Sequence, residues 1–531
     1  MKNIFNQFTS KFVLKGHEFS RAAIFLNSTR ALAPEGCCSV KHPEIRCFLP
    51  SFIVIAALLA AVAPASLSAQ PSKPWEKIPT PKLHKFKPQQ PKRIELANGI
   101  VLFLQEDHEL PFVSGAVLIP GGARDEDPAK TGLVRLYGSA WRTSGAKISG
   151  DALDDLLEAK AAHIETGGDV DSTALSWDSL KGDADQVFAQ AMDLLFHPQF
   201  SAEKLELAQQ QMATGIVRRN DDAGAIAGRE SAKLVYGPNS TYTRQPELAT
   251  IGAVTVDDLK SWHDRTIGGK LIVAICGDFD PAAMEAKLRA TFEPLPTAMA
   301  APARHDFFAD PKPGVFFINK EDVNQSHIEI VSLGTDRHNP DVPALAVMNE
   351  ILGGGFASRM FQKIRTEKGL AYAVGGSYGY AWDHPGVFHA VVLTKSETTV
   401  DAAKLALDEI AGMTTRPFTE EELDRAKDNI LSSFLFRYDT RQKVLAERER
   451  LEFYGYPADY LESYKTAVEK VTVPDLVRVA KKYIHPDQLD ILVVGNSPEI
   501  KPSLDELKLG PVQPIDITIP MPKQSSTEQK Q

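Results

Sequence analysis

From about residue 93 the chain alternates between two apolar patterns. IVLFLQED (100–107) and VSGAVLIPGG (113–122) alternate or run apolar with β-branched residues, which is how strands read. LIVAICGD (271–278) and DILVVGN (490–496) are short apolar runs of the buried-strand type. Longer amphipathic stretches open at capping signals, Thr419 with Glu422 and Thr472 with Asp475. Strand pairs followed by long helices predict an α+β fold, a mixed, antiparallel-leaning sheet covered by helices.

The pattern occurs twice. HPQFSAEKLELAQQ (197–210) lines up with TRPFTEEELDRAKD (415–428), pairing Phe200 with Phe418 and Leu205 with Leu423 at one offset of 218 residues. Tyr236-Gly237 pairs with Tyr454-Gly455 at the same offset, and AVTVDDLKSW (253–262) resembles KVTVPDLVRV (470–479). Gly277 and Gly495 close the two buried runs, again 218 apart. Separate landmarks at one spacing predict two tandem homologous domains, 93–297 and 312–500. The Pro- and Ala-rich stretch 298–311 reads as their linker, and 501–531 as a flexible tail.

The first 69 residues read differently. FLPSFIVIAALLAAVAPASLSA (48–69) has no charge, follows Lys41 and Arg46, and ends in the small residues Ser66, Ser68 and Ala69. A basic flank, an apolar run and a small-residue end describe a secretory signal peptide cleaved near Ala69. A retained anchor is the alternative, but Pro50 and Pro64 leave only about 13 apolar residues between them, short of the ~20 that span a bilayer. Residues 70–92, rich in Pro, Lys and Gln, read as a linker.

Charge and cysteines then narrow the setting. The 531-residue chain carries −10, of which the first 69 residues contribute +4, leaving −14 after cleavage. That balance argues against a nucleic-acid partner, because phosphate needs a basic face. Of the four cysteines only Cys276 lies beyond the leader, so no intramolecular disulfide can form after cleavage. The expected location is the periplasm of a Gram-negative bacterium, with no membrane association once the signal is removed.

One constellation carries a family resemblance. PGGARDE (120–126), TGL (131–133) and TSG (143–145), followed by a second similar domain, resemble the pitrilysin/insulinase-type zinc peptidases, the inverzincins. The resemblance covers nearly all of the chain after the leader and implies a metallopeptidase-like architecture of two tandem domains. It also implies H-x-x-E-H on the helix after TGL, two histidines for zinc and a glutamate as general base, with a further glutamate ligand on a later helix. Aligned on these landmarks, Arg135 and Ser139 stand at the histidine positions and Gly138 at the base. Gly215 stands at the third ligand, and Ala208 at a further glutamate position. Arginine stays protonated and cannot ligate zinc. No metal is therefore expected in this chain, and the resemblance places zinc in a partner subunit. His108, His163, His197, His263 and His389 are scattered without i, i+4 pairing to another histidine. Glu165 and Asp169 read as a solvated face rather than a catalytic dyad, and Cys276 as an inert buried thiol.

The second half keeps a different feature. GGGFASRMFQKIRTEKGLAYAV (353–374) places Arg365 and Tyr372 seven residues apart, behind Gly353, Gly354 and Gly355. In the resembled family such an Arg/Tyr pair reaches from the second domain to the substrate, and both groups can donate hydrogen bonds to a carbonyl gaining negative charge. The glycines suit a hinge or a close backbone approach. Two readings stay open. In one, the chain is the non-catalytic, substrate-binding subunit of a heterodimeric zinc peptidase, inactive alone and paired with a homologous H-x-x-E-H subunit acting on unfolded peptides. In the other, it is a pseudo-peptidase binding or scaffold protein without an enzymatic partner.

Overall fold

Glycine at 277 shows how closely the sheets are built. Its φ is +139°, and a Cβ there would run into the Phe112 carbonyl of the neighbouring strand. In the computed structural model, which describes residues 88–297, 308 and 313–521, Gly277 ends the central strand of the first of two six-stranded sheets. The described residues belong to one unit, Leu83–Gln531. The expected signal peptide 1–69, residues 70–87 of the expected linker and most of 298–311 lie outside the described residues.

The first sheet contains β1 (Lys92–Glu95), β2 (Val101–Glu106), β3 (Phe112–Pro120), β4 (His163–Gly168), β5 (Ser172–Leu180) and β6 (Ile272–Gly277), in the order β1-β2-β6-β3-β5-β4. The second half supplies β7 (Gly314–Asn319), β8 (Gln325–Leu333), β9 (Thr335–Asp336), β10 (Ala371–Ser377), β11 (Tyr380–Ala381), β12 (Val387–Lys395), β13 (Asp490–Gly495) and β14 (Val512–Pro514). Its sheet runs β10-β12-β8-β13-β7-β14, while β9 and β11 form a small ribbon. Five strands correspond: β2-β6-β3-β5-β4 repeats as β7-β13-β8-β12-β10, with one parallel pair (β2/β6, β7/β13) and antiparallel pairs elsewhere. The fold is α+β, with both sheets covered by helices.

The outer strands differ. β1 joins its sheet antiparallel to β2, and β14 joins parallel to β7. Residues 501–521 are thus not a free tail: Leu504 and Leu507 are buried in the second core, and Val512–Pro514 pairs with Val315–Phe317. A proline-rich composition hides this, because an edge strand is held by backbone groups, and Pro514 at its end needs no N–H for the ladder. Residues 522–531 lie outside the described residues.

The helices of the first half are α1 (Leu133–Trp141), α2 (Gly150–Lys160), α3 (Ala184–Phe196), α4 (Ala202–Val217), α5 (Ala223–Tyr236), α6 (Leu248–Gly252), α7 (Val256–Ile267) and α8 (Pro281–Phe292). Those of the second are α9 (Val342–Leu352), α10 (Thr399–Thr415), α11 (Glu420–Arg437), α12 (Arg441–Phe453), α13 (Tyr460–Lys470) and α14 (Val473–Tyr483). The capping boxes Thr419/Glu422 and Thr472/Asp475 start α11 and α14. Each half has its own apolar core. Between them the halves exchange a helix. Ile226 and Ala227 of α5 pack on Ile318, Leu492 and Val494 of the second sheet. Leu445 of α12 packs on Val101, Phe103, Ile272, Ala274 and Cys276 of the first. Burial in that seam pushes the Cys276 thiol up to about 11.

Polar contacts follow the same reciprocity. The Tyr236 hydroxyl donates to the Pro385 carbonyl at 2.7 Å, and the Tyr454 hydroxyl to the Asp171 carboxylate at 2.5 Å. Arg124, with its side chain 2% exposed, pairs with Asp171 at 2.8 Å and with Asp383 of the other half at 2.9 Å.

Candidate functional site

The first half of the site is α1. Gly132 turns the chain into it with φ +107°, and Glu126 caps it, accepting from the Gly132 and Val134 N–H groups at 2.9 and 2.6 Å. Burial pushes the Glu126 carboxyl up against the pull of those donors. Leu133, Val134, Leu136, Tyr137, Ala140 and Trp141 face the core, which leaves Arg135 and Ser139 on the solvent side one turn apart. The Ser139 hydroxyl donates back to the Arg135 carbonyl at 3.1 Å.

Gly138 is buried where α1 touches the edge strand β4. A Cβ there would sit 3.0 Å from Gly167 Cα, and the Thr166 hydroxyl donates to the Gly138 carbonyl at 2.7 Å. Strand backbone occupies the space a glutamate would need. Gly215 lies exposed on α4 with open space beside it, and Ala208 is buried in the first core. Among the described residues no group of three His, Cys, Asp or Glu side chains is arranged to hold a metal. A guanidinium, a hydroxyl and two glycines do not fit zinc.

The remaining polar residues have other partners. His263 shares a hydrogen bond with the Tyr137 hydroxyl at 2.9 Å inside the first core, and burial pushes its imidazole down to about 4. Nothing in the sequence marks that pair, since a single histidine on an amphipathic helix has no motif. His108 bridges Glu106 and Asp278, and hydrogen bonds to these two carboxylates raise its pKa. His163 pairs with Asp178 at 2.9 Å, and His389 lies 3.9 Å from Glu329. Asp169 closes the β4–β5 turn, accepting from the Asp171 and Ser172 N–H groups at 2.8 and 2.7 Å, while Glu165 is exposed on β4.

In the second half, Arg365 and Tyr372 come together. Phe361–Glu367 winds as a π-helical turn, wider than an α-helix, and carries Arg365. Tyr372 stands at the register shift between Ala371 and Ala373, where β10 bulges against β12. Tyr372 is 57% exposed there. The Arg365 guanidinium lies 4.9 Å from the Phe361 ring centre and 5.9 Å from that of Tyr372. Of the three preceding glycines, a side chain at Gly353 would run into the backbone of Gly376 on β10, and one at Gly354 would crowd Glu350. Gly355 has open space. The cluster is thus a cation and a phenol side by side on an exposed surface.

Residues 253–430 match the family described as the Peptidase M16 inactive domain. Over that stretch, about a third of its length, the chain is similar to the M16 peptidase family. It is 22% identical over 410 residues to "Non-peptidase homolog YmxG" of Helicobacter pylori, covering 76% of this chain and 93% of that one. It is 21% identical over 373 residues to "Uncharacterized zinc protease YmxG" of Bacillus subtilis, covering 68% and 88%. Among solved structures, an M16 inactive domain from Pseudomonas fluorescens superposes with a TM-score of 0.68 at 24% identity, covering 76% of this chain and 98% of that one. A protease from Helicobacter pylori gives 0.67 at 17% identity, covering 77% and 100%. The two structural likenesses establish the fold of this chain.

Proposed function

We propose that this chain is the non-catalytic, substrate-binding subunit of a heterodimeric zinc peptidase of the bacterial periplasm. Its partner is a homologous subunit with an intact H-x-x-E-H, and its substrates are unfolded peptides. The observation that carries this reading is the side-by-side presentation of Arg365 and Tyr372 in a chain whose α1 offers no metal ligand. The guanidinium and the phenol can both donate to a peptide carbonyl and hold it as it gains negative charge, which is positioning and charge stabilisation without a nucleophile. The hydrolytic step belongs to the sister subunit. A relative whose name denies it peptidase activity supports the same reading. The charge-free run 48–69 supports export.

The test is reconstitution. The chain alone should neither bind stoichiometric zinc nor cleave a fluorogenic peptide, and cleavage should appear on mixing with the sister subunit. Arg365→Ala or Tyr372→Phe should lower the turnover of the mixture by about 100-fold, the usual size for losing one donor to a developing oxyanion. The elution of the complex on gel filtration should not change. Zinc-dependent cleavage by the chain alone, or full activity of both variants, would overturn the proposal. N-terminal sequencing of protein released by osmotic shock should begin near residue 70, and recovery in the cytoplasmic fraction would remove the periplasmic part.

A further inference from the structure

The degenerate metal position is not electrically blank. Arg135 occupies the exposed stripe of α1, and among the described residues its guanidinium makes no hydrogen bond or ion pair. Its charge acts on the Glu126 carboxylate, whose oxygens already accept from the Gly132 and Val134 N–H groups at the helix start. One turn on, Ser139 adds no charge, and its hydroxyl is turned back to the helix backbone. Across from α1, α4 packs through Met212 near Gly132 and then presents Gly215 with free space beside it. The base position is closed by the contact of Gly138 with β4. A positive group is thus exposed to solvent with, among the described residues, no carboxylate hydrogen-bonded to it, and the acid that feels its charge, Glu126, has its oxygens engaged by backbone N–H groups.

We infer that this place is a carboxylate-binding site, in which Arg135 takes a carboxylate group of a bound peptide. The inference rests on the peptide-binding function proposed above. Zinc and guanidinium both put positive charge in front of a peptide, but they select different partners. A planar guanidinium offers parallel N–H donors that match the two oxygens of a carboxylate, and it has no lone pair to hold a metal and no means to activate water. With Arg135 and Ser139 at the histidine positions, Gly215 at the third-ligand position and Gly138 in place of the base, a site for a scissile carbonyl becomes one that grips an anionic group without cutting. The carboxylate can be the peptide C-terminus or an acidic side chain.

Fluorescence anisotropy at low ionic strength separates these cases. The probes are fluorescein-labelled peptides of alanine, serine and leucine, made as the free acid, as the C-terminal amide, and as amides with one internal glutamate or glutamine. They are titrated with the mature chain, alone and with its sister subunit. At least one carboxylate form should bind roughly tenfold tighter than its neutral counterpart, the size of one charge-assisted contact. Raising the salt should shrink the gap. A gap between acid and amide identifies the C-terminus as the ligand, and a gap between glutamate and glutamine identifies the side chain. Arg135→Gln should abolish the gap while leaving the affinity of the neutral amide unchanged, and Arg135→Lys should retain part of it. Arg365→Ala should weaken charged and neutral peptides alike. Equal binding of every charged and neutral pair, or a gap that survives Arg135→Gln, would overturn this site and leave the peptide-binding function standing. Peptide binding in neither the lone chain nor the complex would overturn both.

Discussion

Gly138, which the family resemblance aligns with the general base of a zinc peptidase, carries only a hydrogen, and the β4 backbone rests against it. The glycine at this aligned position is legible in the sequence, but its close contact with β4 is not, because the contact with Gly167 joins residues with no local pattern in common. The two together predict that Gly138→Glu neither presents a working base nor, with Arg135, Ser139 and Gly215 unchanged, holds zinc. It should lower stability by about 2 kcal/mol through overpacking and burial of a carboxyl, read as a reduced urea midpoint, with no zinc found by metal analysis. His263 gives a second residue-level expectation. Its imidazole is held neutral in the core with its pKa lowered from the usual 6.5 to about 4, so the unfolded chain binds the proton more readily than the folded one. Stability from this group is intact above about pH 6.5 and declines as pH falls towards 4; between pH 7 and 5 the loss is about 2 kcal/mol by linkage. Urea titrations at both pH values should show it, and His263→Asn should flatten that part of the pH dependence while lowering stability at neutral pH.

At the level of elements, the repeat made both sheets legible, since α4/α11, α7/α14 and β6/β13 stand at matching places in the two halves. The exchange of α5 and α12 was not legible. An amphipathic pattern says that a helix has an apolar face, not which sheet receives it, and α12 (RQKVLAERERLEF) has few apolar residues to declare a face at all. Three of these, Val444, Leu445 and Leu451, are nonetheless buried. Leu445→Ala should therefore cost about 2–4 kcal/mol, the range for emptying a buried leucine site, and should expose the Cys276 thiol beneath it to maleimide labelling in the folded protein. A comparably large loss without labelling would mean that the seam stays closed and the cost is local. The Arg365/Tyr372 pair lies between these cases. Its spacing is written in the sequence, but the π-helical turn and the bulge that bring the two side chains together are backbone departures that periodicity does not encode.

For the whole molecule, the reciprocal helices join two cores into one cooperative structure. If residues 93–297 were produced alone, α5 would lose Ile318, Leu492 and Val494, and the β2–β6 face would lose Leu445. Arg124 would also keep Asp171 but lose Asp383 from a buried ion-pair cluster. Removing one partner of a buried charge cluster costs about 3–5 kcal/mol, and a domain's whole stability is only about 5–15 kcal/mol. Neither 93–297 nor 312–521 should then be recovered as a soluble monomer, whereas coexpression of the two should yield a complex that co-elutes with the intact chain on gel filtration. A soluble first half with cooperative unfolding would show that its sheet and helices suffice by themselves. Such independence would weaken the case for a rigid frame holding Arg365 and Tyr372 towards another subunit, because a donor pair aids a transition state only if its position is set before substrate arrives.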